Sequence, residues 1–243
     1  MSRVFRADIY RMYRGRRFWL FSVAMFAVSA VFIVMQHTAM DYVVKLDRVL
    51  FLPMTFYGIL TAALLSLFVG EDFSDGVIRN KIIAGRSRRE IYRSGLLVCW
   101  TACVAVYILS LAATLGIGMH FFENNVDAET LGIYFLMGIF MCLAMGSIFY
   151  LLSVLIADKA AAVMSCMGLA FCMLILCLHT NQVMIHHPNI VYGMLHDINP
   201  MGQAAQLSMM KYLSLSRWIG CDVFWILTAW TLGNQFFEHK DIK

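Results

Sequence analysis

Long stretches without a charged residue divide this chain, and they constrain its fold more than any other feature. Five such stretches, of 23, 22, 29, 28 and 37 residues, follow Arg17, Arg48, Arg93, Glu129 and Lys159. A helix needs roughly 20 apolar residues to cross the hydrocarbon core of a bilayer, which is about 30 Å thick. Each stretch is therefore long enough for one membrane-spanning helix.

A sixth span is predicted near the C-terminus, where only Asp222 interrupts the apolar residues. The expected fold class is an all-α integral membrane protein, with an N-terminal element at 1-17 and a six-helix transmembrane domain at 18-243. The spans cover about 18-37, 50-70, 95-118, 132-156, 160-179 and 218-237.

The composition of the 243 residues excludes other protein classes. The chain is 61% apolar and 14% charged, with a mean hydropathy of +0.73, against about 45–50% apolar and about 25% charged for a soluble domain. This excludes a soluble enzyme, a disordered chain and a disulfide scaffold. The seven cysteines lie in or beside apolar runs without a CxxC pair, so they are interpreted as buried hydrophobes, not metal ligands. The net charge of +4 is too small to indicate a nucleic-acid partner.

The distribution of basic residues predicts the orientation. With the N-terminus inside, 15 of the 19 Lys and Arg residues lie on inner segments, as the positive-inside rule requires. We therefore expect a multi-pass protein of the plasma membrane with both termini in the cytoplasm. The alternative, a signal peptide cleaved near Ala30, requires a shorter apolar stretch and a site nearer its end.

The N-terminal residues have the pattern of an amphipathic helix. Phe5, Ile9, Met12 and Tyr13 share one side, and the arginines of this segment lie on the other. Such a helix lies flat on anionic lipid, and the alternative is a disordered basic tail. Within the spans, small residues at every fourth position predict faces where helices touch, at Gly58, Ala62, Ser66 and Gly70 and at Ala157, Ala161 and Ser165.

The inner loop at 71-94 predicts two helices. Ser74 or Asp75 can cap a short amphipathic helix at about 76-84, Gly85 can end it, and Ser87 to Glu90 form a capping box for the next helix.

The first two residues of this loop are acids. Glu71 and Asp72 lie at a helix C-terminus, where the macrodipole disfavours negative charge. We expect them to pair with Arg79, Arg86 or Arg89 and to brace the loop. The alternative is that both acids are simply solvated.

The outer segment at 180-217 is too apolar for an ordinary loop. Two short helices, at about 190-195 and 204-213, are expected to re-enter the membrane without crossing it. Four histidines in this region, His179, His186, His187 and His196, raise the alternative of an intramembrane enzyme, but the chain has no HExxH motif. No metal site is predicted.

Asp222 is an acid one turn inside the last span, where a buried charge is costly. Three interpretations remain open at this point: it pairs with Arg217 or Lys211, it lines a substrate path, or it reaches water.

The inner loop resembles that of ABC-2 type permeases, the membrane subunits of bacterial ABC exporters. In that family an acid ends the second helix and a pattern close to Gly-x-Ile-Arg-Asn-Lys-x-x-x-Gly-x-Ser-Arg follows. The matching residues here are Gly76, Ile78, Arg79, Asn80, Lys81, Gly85, Ser87 and Arg88. A second resemblance is an outer Asn-Pro motif, formed by Asp197, Asn199, Pro200, Gly202 and Gln203.

The resemblance implies an ABC-2 (type V exporter-like) fold and a coupling helix at about 74-84 that docks on a separate ATPase. The coupling residues would then be Asp75, Gly76, Ile78, Arg79, Asn80, Lys81, Gly85, Arg86 and Arg88. It also implies a dimer of permease subunits and export of a hydrophobic or amphipathic substrate, such as a drug, a lipid or an antimicrobial peptide.

The chain itself lacks the GxxxxGK[ST] motif that binds ATP phosphates. We therefore expect a transport subunit and not an enzyme, with no cofactor of its own and with ATP and Mg on the partner. The competing functions are the intramembrane enzyme and a non-transporting membrane scaffold or sensor.

Overall fold

The computed structural model describes residues 2–39, 46–123, 128–156, 158–187, 189–211 and 214–240. Every regular element in these residues is an α-helix. In chain order the helices are α1 (Ser2–Arg14), α2 (Arg16–Ala39), α3 (Leu46–Leu50), α4 (Met54–Ser74), α5 (Val77–Ile83), α6 (Arg88–Gly118), α7 (Ala128–Ile156), α8 (Lys159–His186), α9 (Ile190–Ile198), α10 (Pro200–Ser208) and α11 (Leu215–His239).

Five helices, α2, α4, α6, α7 and α8, are long and apolar enough to cross a membrane. The chain is thus an all-α, multi-pass membrane protein. Helix α11 has 25 residues, which is sufficient length, but Asp222, Asn234 and Gln235 reduce its apolar character. A sixth span at 218-237 therefore stays a prediction. Helix α8 runs to His186, seven residues beyond the predicted end of the fifth span.

Helix α4 lies at the centre of the bundle, where it packs against α7, α8 and α10. Its small residues confirm one predicted contact face. A Cβ added at Gly58 would overlap the Met201 sulfur, and one added at Gly70 would lie 2.9 Å from the Cα of Lys159. Close approach of this kind is what small residues allow in lipid.

The second predicted face, on α8, was wrong. Ala161 and Ser165 are exposed, whereas Ala162, Cys166 and Ala170 are buried; Ala157 lies outside the described residues. The buried stripe has the same four-residue spacing but starts one position later. Because small residues suit both a lipid-facing and a packed surface, their spacing alone does not identify the packed side.

Three tyrosine hydroxyls connect neighbouring helices by hydrogen bonds to backbone carbonyls, and each of these hydroxyls lies over a glycine. Tyr92 donates to the carbonyl of Ala229 at 2.7 Å and Tyr150 donates to the carbonyl of Tyr92 at 2.9 Å. Their hydroxyls occupy the space above Gly233 and Gly95, respectively, where any Cβ would overlap them. Tyr107 uses Gly138 in the same way. The tyrosine hydroxyls thus gain carbonyl acceptors inside an apolar bundle, where an unpaired polar group is costly.

The cysteines are free thiols. Five of the seven are buried, at 99, 103, 142, 166 and 177, which confirms their interpretation as buried hydrophobes; Cys172 is exposed and Cys221 is half-buried.

Replacing Gly233 by Ala is expected to destabilise the bundle, because the new methyl group would displace the Tyr92 hydroxyl from its acceptor. Overpacking of this kind costs about 1–3 kcal/mol. Gly220→Ala is the matched control, since a Cβ at Gly220, on the same helix, meets no atom within 4 Å. Thermal unfolding of both variants in detergent tests this, and equal melting temperatures would contradict it.

Candidate functional site

Helix α5 is a short rod set between two sharp turns. Gly76 and Gly85, on either side of it, have φ values of 67° and 79°, which L side chains rarely adopt. Ser87 then caps α6, and its hydroxyl oxygen accepts a hydrogen bond from the Glu90 amide at 3.2 Å. The short helix, its glycine stop and the Ser87 cap predicted from the sequence are confirmed.

The predicted cap at the start of α5 was wrong. The residue that precedes α5 is Gly76, and neither Ser74 nor Asp75 caps it. Helix α4 continues through Ser74, so only two residues connect the helices and the left-handed Gly76 makes the turn. Ser74 instead donates to the Asp75 carboxylate at 3.1 Å.

Helix α5 has one face against the bundle and one face open. Ile78 is buried, and Val77 and Ile82 are half-buried. On the other side Arg79 and Asn80 are exposed, together with Ile83, which keeps 73% of its surface accessible. The open face thus presents a cation, an amide and one apolar side chain.

An ion pair holds α5 in place. The Lys81 ammonium lies 2.7 Å and 2.8 Å from the two carboxylate oxygens of Asp8 on α1. The Asp8 side chain is only 4% exposed, and Ser94 on α6 donates to it at 3.3 Å. Three helices therefore meet at one carboxylate.

Asp8 was missed by sequence reasoning, although a signal for it exists. It is the only acid among the first 17 residues, and it lies four positions before Met12, on the apolar side of α1. An acid on that side, in an otherwise basic helix, predicts a buried partner.

Glu71 and Asp72 are braced, but not by the bases predicted from the sequence. Asp72 pairs with Arg11 of α1. Glu71 pairs with Arg17 of α2 and lies 3.1 Å from the Lys159 ammonium at the start of α8. Because Asp72 is buried and both acids have ion pairs, the alternative of simply solvated acids is also wrong.

The basic residues after Gly85 bind the end of α11 and their own helix instead. Arg89 lies 2.8 Å from the Glu238 carboxylate, and Arg88 donates to the Glu238 carbonyl at 2.9 Å. Arg86 lies 3.7 Å from Glu90. Lys240 donates to the carbonyls of residues 154 and 155 at the end of α7, and its burial lowers its pKa. These contacts fix the C-terminal residues against α6 and α7.

The outer Asn-Pro motif lies at the opposite end of the bundle, where α9 turns into α10. The Asn199 side chain caps α10 by accepting from the Met201 amide at 3.1 Å, and it donates to the Met173 carbonyl at 2.7 Å. Pro200 is the first residue of α10. This cap explains why the second short helix begins at 200 and not near 204.

The rest of the motif forms a buried polar cluster around Asp197. Gln203 donates to the Asp197 carbonyl and Gln206 donates to its carboxylate, both at 2.8 Å. Arg217 lies 3.1 Å from the other carboxylate oxygen. Gly202 permits the contact with α9, because a Cβ there would lie 3.1 Å from the His196 ring nitrogen.

Asp222 lies beside this cluster. It is fully buried and has no ion pair with a described residue; the side chains of Gln203 and Trp218 are its polar neighbours. Pairing with Arg217 is contradicted because Arg217 is held by Asp197, and access to water is contradicted by the burial.

The outer histidines do not converge. His179, His186 and His187 are exposed, while His196 is buried and lies 2.9 Å from the Thr180 hydroxyl. Over the described ranges, no group of three or more His, Cys, Asp or Glu side chains is placed to hold a metal ion. Burial lowers the pKa of His196.

Comparison with known proteins adds no assignment: the sequence matches no protein-family model and no curated protein. The functional argument therefore starts from the residues described above.

The Lys81–Asp8 pair is expected to hold α5 against α1. Lys81→Gln should speed amide hydrogen exchange across Val77–Ile83, and a cycle with Asp8→Asn should give a coupling energy of about 1–3 kcal/mol. Arg79→Gln is the control, since this side chain is exposed on the same helix. Unchanged exchange in Lys81→Gln would show that α5 is held by its apolar face alone.

His196 is expected to make stability depend on pH. Its pKa in the folded state is lowered, so the unfolded chain binds the proton more tightly and stability falls as the pH drops below about 6.5, the ordinary histidine value. His196→Gln can still hydrogen-bond Thr180 but cannot titrate. Melting temperatures from about pH 7.5 to 5 should therefore fall less in this variant than in the original chain. An equal fall in melting temperature with pH in both proteins would show that His196 does not cause the pH dependence.

Proposed function

We propose that this chain is the permease subunit of an ATP-driven ABC transporter of the ABC-2 type. The observation that carries the proposal is α5, a seven-residue helix fixed to the bundle on one face and open on the other. A separate ATPase would dock on the open face, through Arg79, Asn80 and Ile83. The residues shared with the family pattern, from Gly76 to Arg88, lie in and around this helix.

The attachment of α5 suits the transmission of movement. Lys81 connects it to Asp8 of α1, and that carboxylate also accepts from Ser94 of α6. A displacement of α5 by a partner would therefore act on two other helices at once. A scaffold protein has no need for a helix held in this way.

The membrane arrangement in this proposal has six spans, with α11 as the sixth and both termini in the cytoplasm. The abundance of Lys and Arg at the end formed by α1, α5 and residue 240 supports that orientation. The protein would lie in the plasma membrane as a dimer of permease subunits, homomeric or heteromeric. ATP and Mg would bind the partner ATPase, and this chain would have no catalytic role.

The cargo would be a hydrophobic or amphipathic molecule, exported through a path between permease subunits. Eighteen Met and 18 Phe residues give the bundle pliable apolar surfaces. In this scheme α9 and α10 cap the outer end of the path. Asp222, which has no ion pair among the described residues, would contact cargo only after the bundle opens, because its side chain is fully buried.

Co-purification with an ATPase tests the proposal. The tagged chain, extracted in mild detergent, should retain a protein that mass spectrometry identifies by a GxxxxGK[ST] motif. When both are reconstituted in vesicles, Arg79→Ala combined with Asn80→Ala should reduce the permease-dependent ATPase rate at least about tenfold, the equivalent of about 1.4 kcal/mol.

Arg6→Ala provides the matched control, because Arg6 is an exposed arginine on α1 that makes no ion pair with α5. It should leave both binding and the ATPase rate unchanged. If no ATPase co-purifies, or if the α5 variant hydrolyses ATP at the original rate, α5 is not a coupling helix and the permease assignment fails.

A further inference from the structure

A cavity of about 410 Å³ opens between α1, α2 and α4. It exists because the chain bends at Gly15, between the end of α1 and the start of α2. The Gly15 amide donates to the Arg11 and Met12 carbonyls, and a Cβ at this position would press against the same two oxygens. The bend leaves a recess between the end of α1, the start of α2 and the end of α4.

The floor of the cavity is apolar and its rim is charged. Met12, Phe18, Leu64 and Phe68 form the floor. The rim carries three bases and three acids, Arg11, Arg16, Arg17, Glu71, Asp72 and Asp75. This combination suits an amphiphile whose polar group carries charges of both signs.

Two of the six rim charges have no ion pair with a described residue, although Asp75 accepts a hydrogen bond from the Ser74 hydroxyl. Arg11 pairs with Asp72 and Arg17 with Glu71. Arg16 and Asp75 are both exposed, and neither forms an ion pair with another residue that the structure describes. The rim thus offers one guanidinium and one carboxylate to a ligand.

The surroundings of the cavity place it at the level of lipid headgroups. Arg16 begins α2, the first membrane-spanning helix. Trp19 and Tyr10 are more than half exposed nearby, as aromatic residues commonly are at the membrane interface. Just beyond, Leu20 and Val23 of α2 are each 64% exposed and offer an apolar track for acyl chains.

We propose that this cavity binds the headgroup of a zwitterionic phospholipid with a primary ammonium, of the phosphatidylethanolamine type. Arg16 contacts the phosphate, since guanidinium groups form charge-assisted hydrogen bonds with phosphate oxygens. Asp75 accepts hydrogen bonds from the ammonium. Phe18 and Phe68 contact the glycerol and the first acyl carbons. An anionic lipid without an ammonium would leave Asp75 unpaired and would face three acids. This inference does not depend on the proposed transport function.

Native mass spectrometry of the delipidated full-length chain tests the proposal. The protein in detergent is titrated with phosphatidylethanolamine, phosphatidylcholine and phosphatidylglycerol of equal chain length. Phosphatidylethanolamine should bind most tightly, because the choline headgroup has no N–H donor and the glycerol headgroup has no cation. Arg16→Gln and Asp75→Asn should each weaken its binding about five- to tenfold, the loss of one charge-assisted contact.

Arg6→Gln removes the same charge from an exposed site on α1 outside the cavity, and it should bind this lipid like the original chain. Thermal melting without lipid should show that the variants remain folded, as expected for exposed side chains. Soluble glycerophosphoethanolamine, which lacks acyl chains, should compete poorly.

Four outcomes would overturn the proposal. These are absence of lipid adducts, phosphatidylglycerol binding as tightly as phosphatidylethanolamine, an equal loss in Arg6→Gln, and full competition by the soluble headgroup. The last would mean that a free phosphate ester, and not a lipid, is the ligand.

Discussion

Three acids allow the basic end of the bundle to pack. Most Lys and Arg residues lie there, and like charges at close range repel. Asp8 joins α1 to α5 and α6, Asp72 joins α4 to α1, and Glu71 joins α4 to α2 and α8. Asp8 and Glu71 each bind at least two polar or basic side chains, and Asp72 is buried against one arginine. These three carboxylates thus connect α1, α2, α4, α5, α6 and α8 at this end.

The structure of the opposite end, at α9 and α10, depends on satisfying buried polar groups. Helices α9 and α10 pack among membrane helices, so the chain between them must satisfy its polar groups without relying on water. Trp225 donates to the Ile198 carbonyl at 2.9 Å, and Asn199 and Gln203 supply the remaining contacts at the junction. The polar residues of the outer motif thus have a sufficient structural reason to be there. Asp222, by contrast, is fully buried and makes no ion pair with a described residue.

Features set by neighbours in the sequence were predictable, and features set by neighbours in space were not. The five uncharged runs became helices, and Gly85 and Ser87 act where their local chemistry requires. The partners of Asp72 and Glu71 were mistaken because nothing in the sequence shows that α1, α2 and the start of α8 bring Arg11, Arg17 and Lys159 to the end of α4. The fit of the Tyr92 hydroxyl over Gly233 joins residues 141 positions apart. The resemblance that suggests transport likewise depends on local motifs, and the open face of α5 is what the structure adds to it.

Most of the positive charge of the inner loop is not available to the proposed ATPase partner. Five of its six basic residues are engaged by this chain: Lys81 by Asp8, Arg86 by Glu90, Arg88 by carbonyl groups, Arg89 by Glu238, and Arg93 by the ring of Trp230 at 5.2 Å. Arg79 is the remaining one, and it has no such contact with a described residue. A partner on α5 therefore meets one available cation beside Asn80 and the bare side chain of Ile83. Because a single exposed charge is strongly screened by salt, the shape of α5 and burial of Ile83 would have to add to the contacts of Arg79 and Asn80. Lys81 holds α5 in position, four other basic residues hold α6 and α11, and the proposed docking surface is the small face of α5 that remains open.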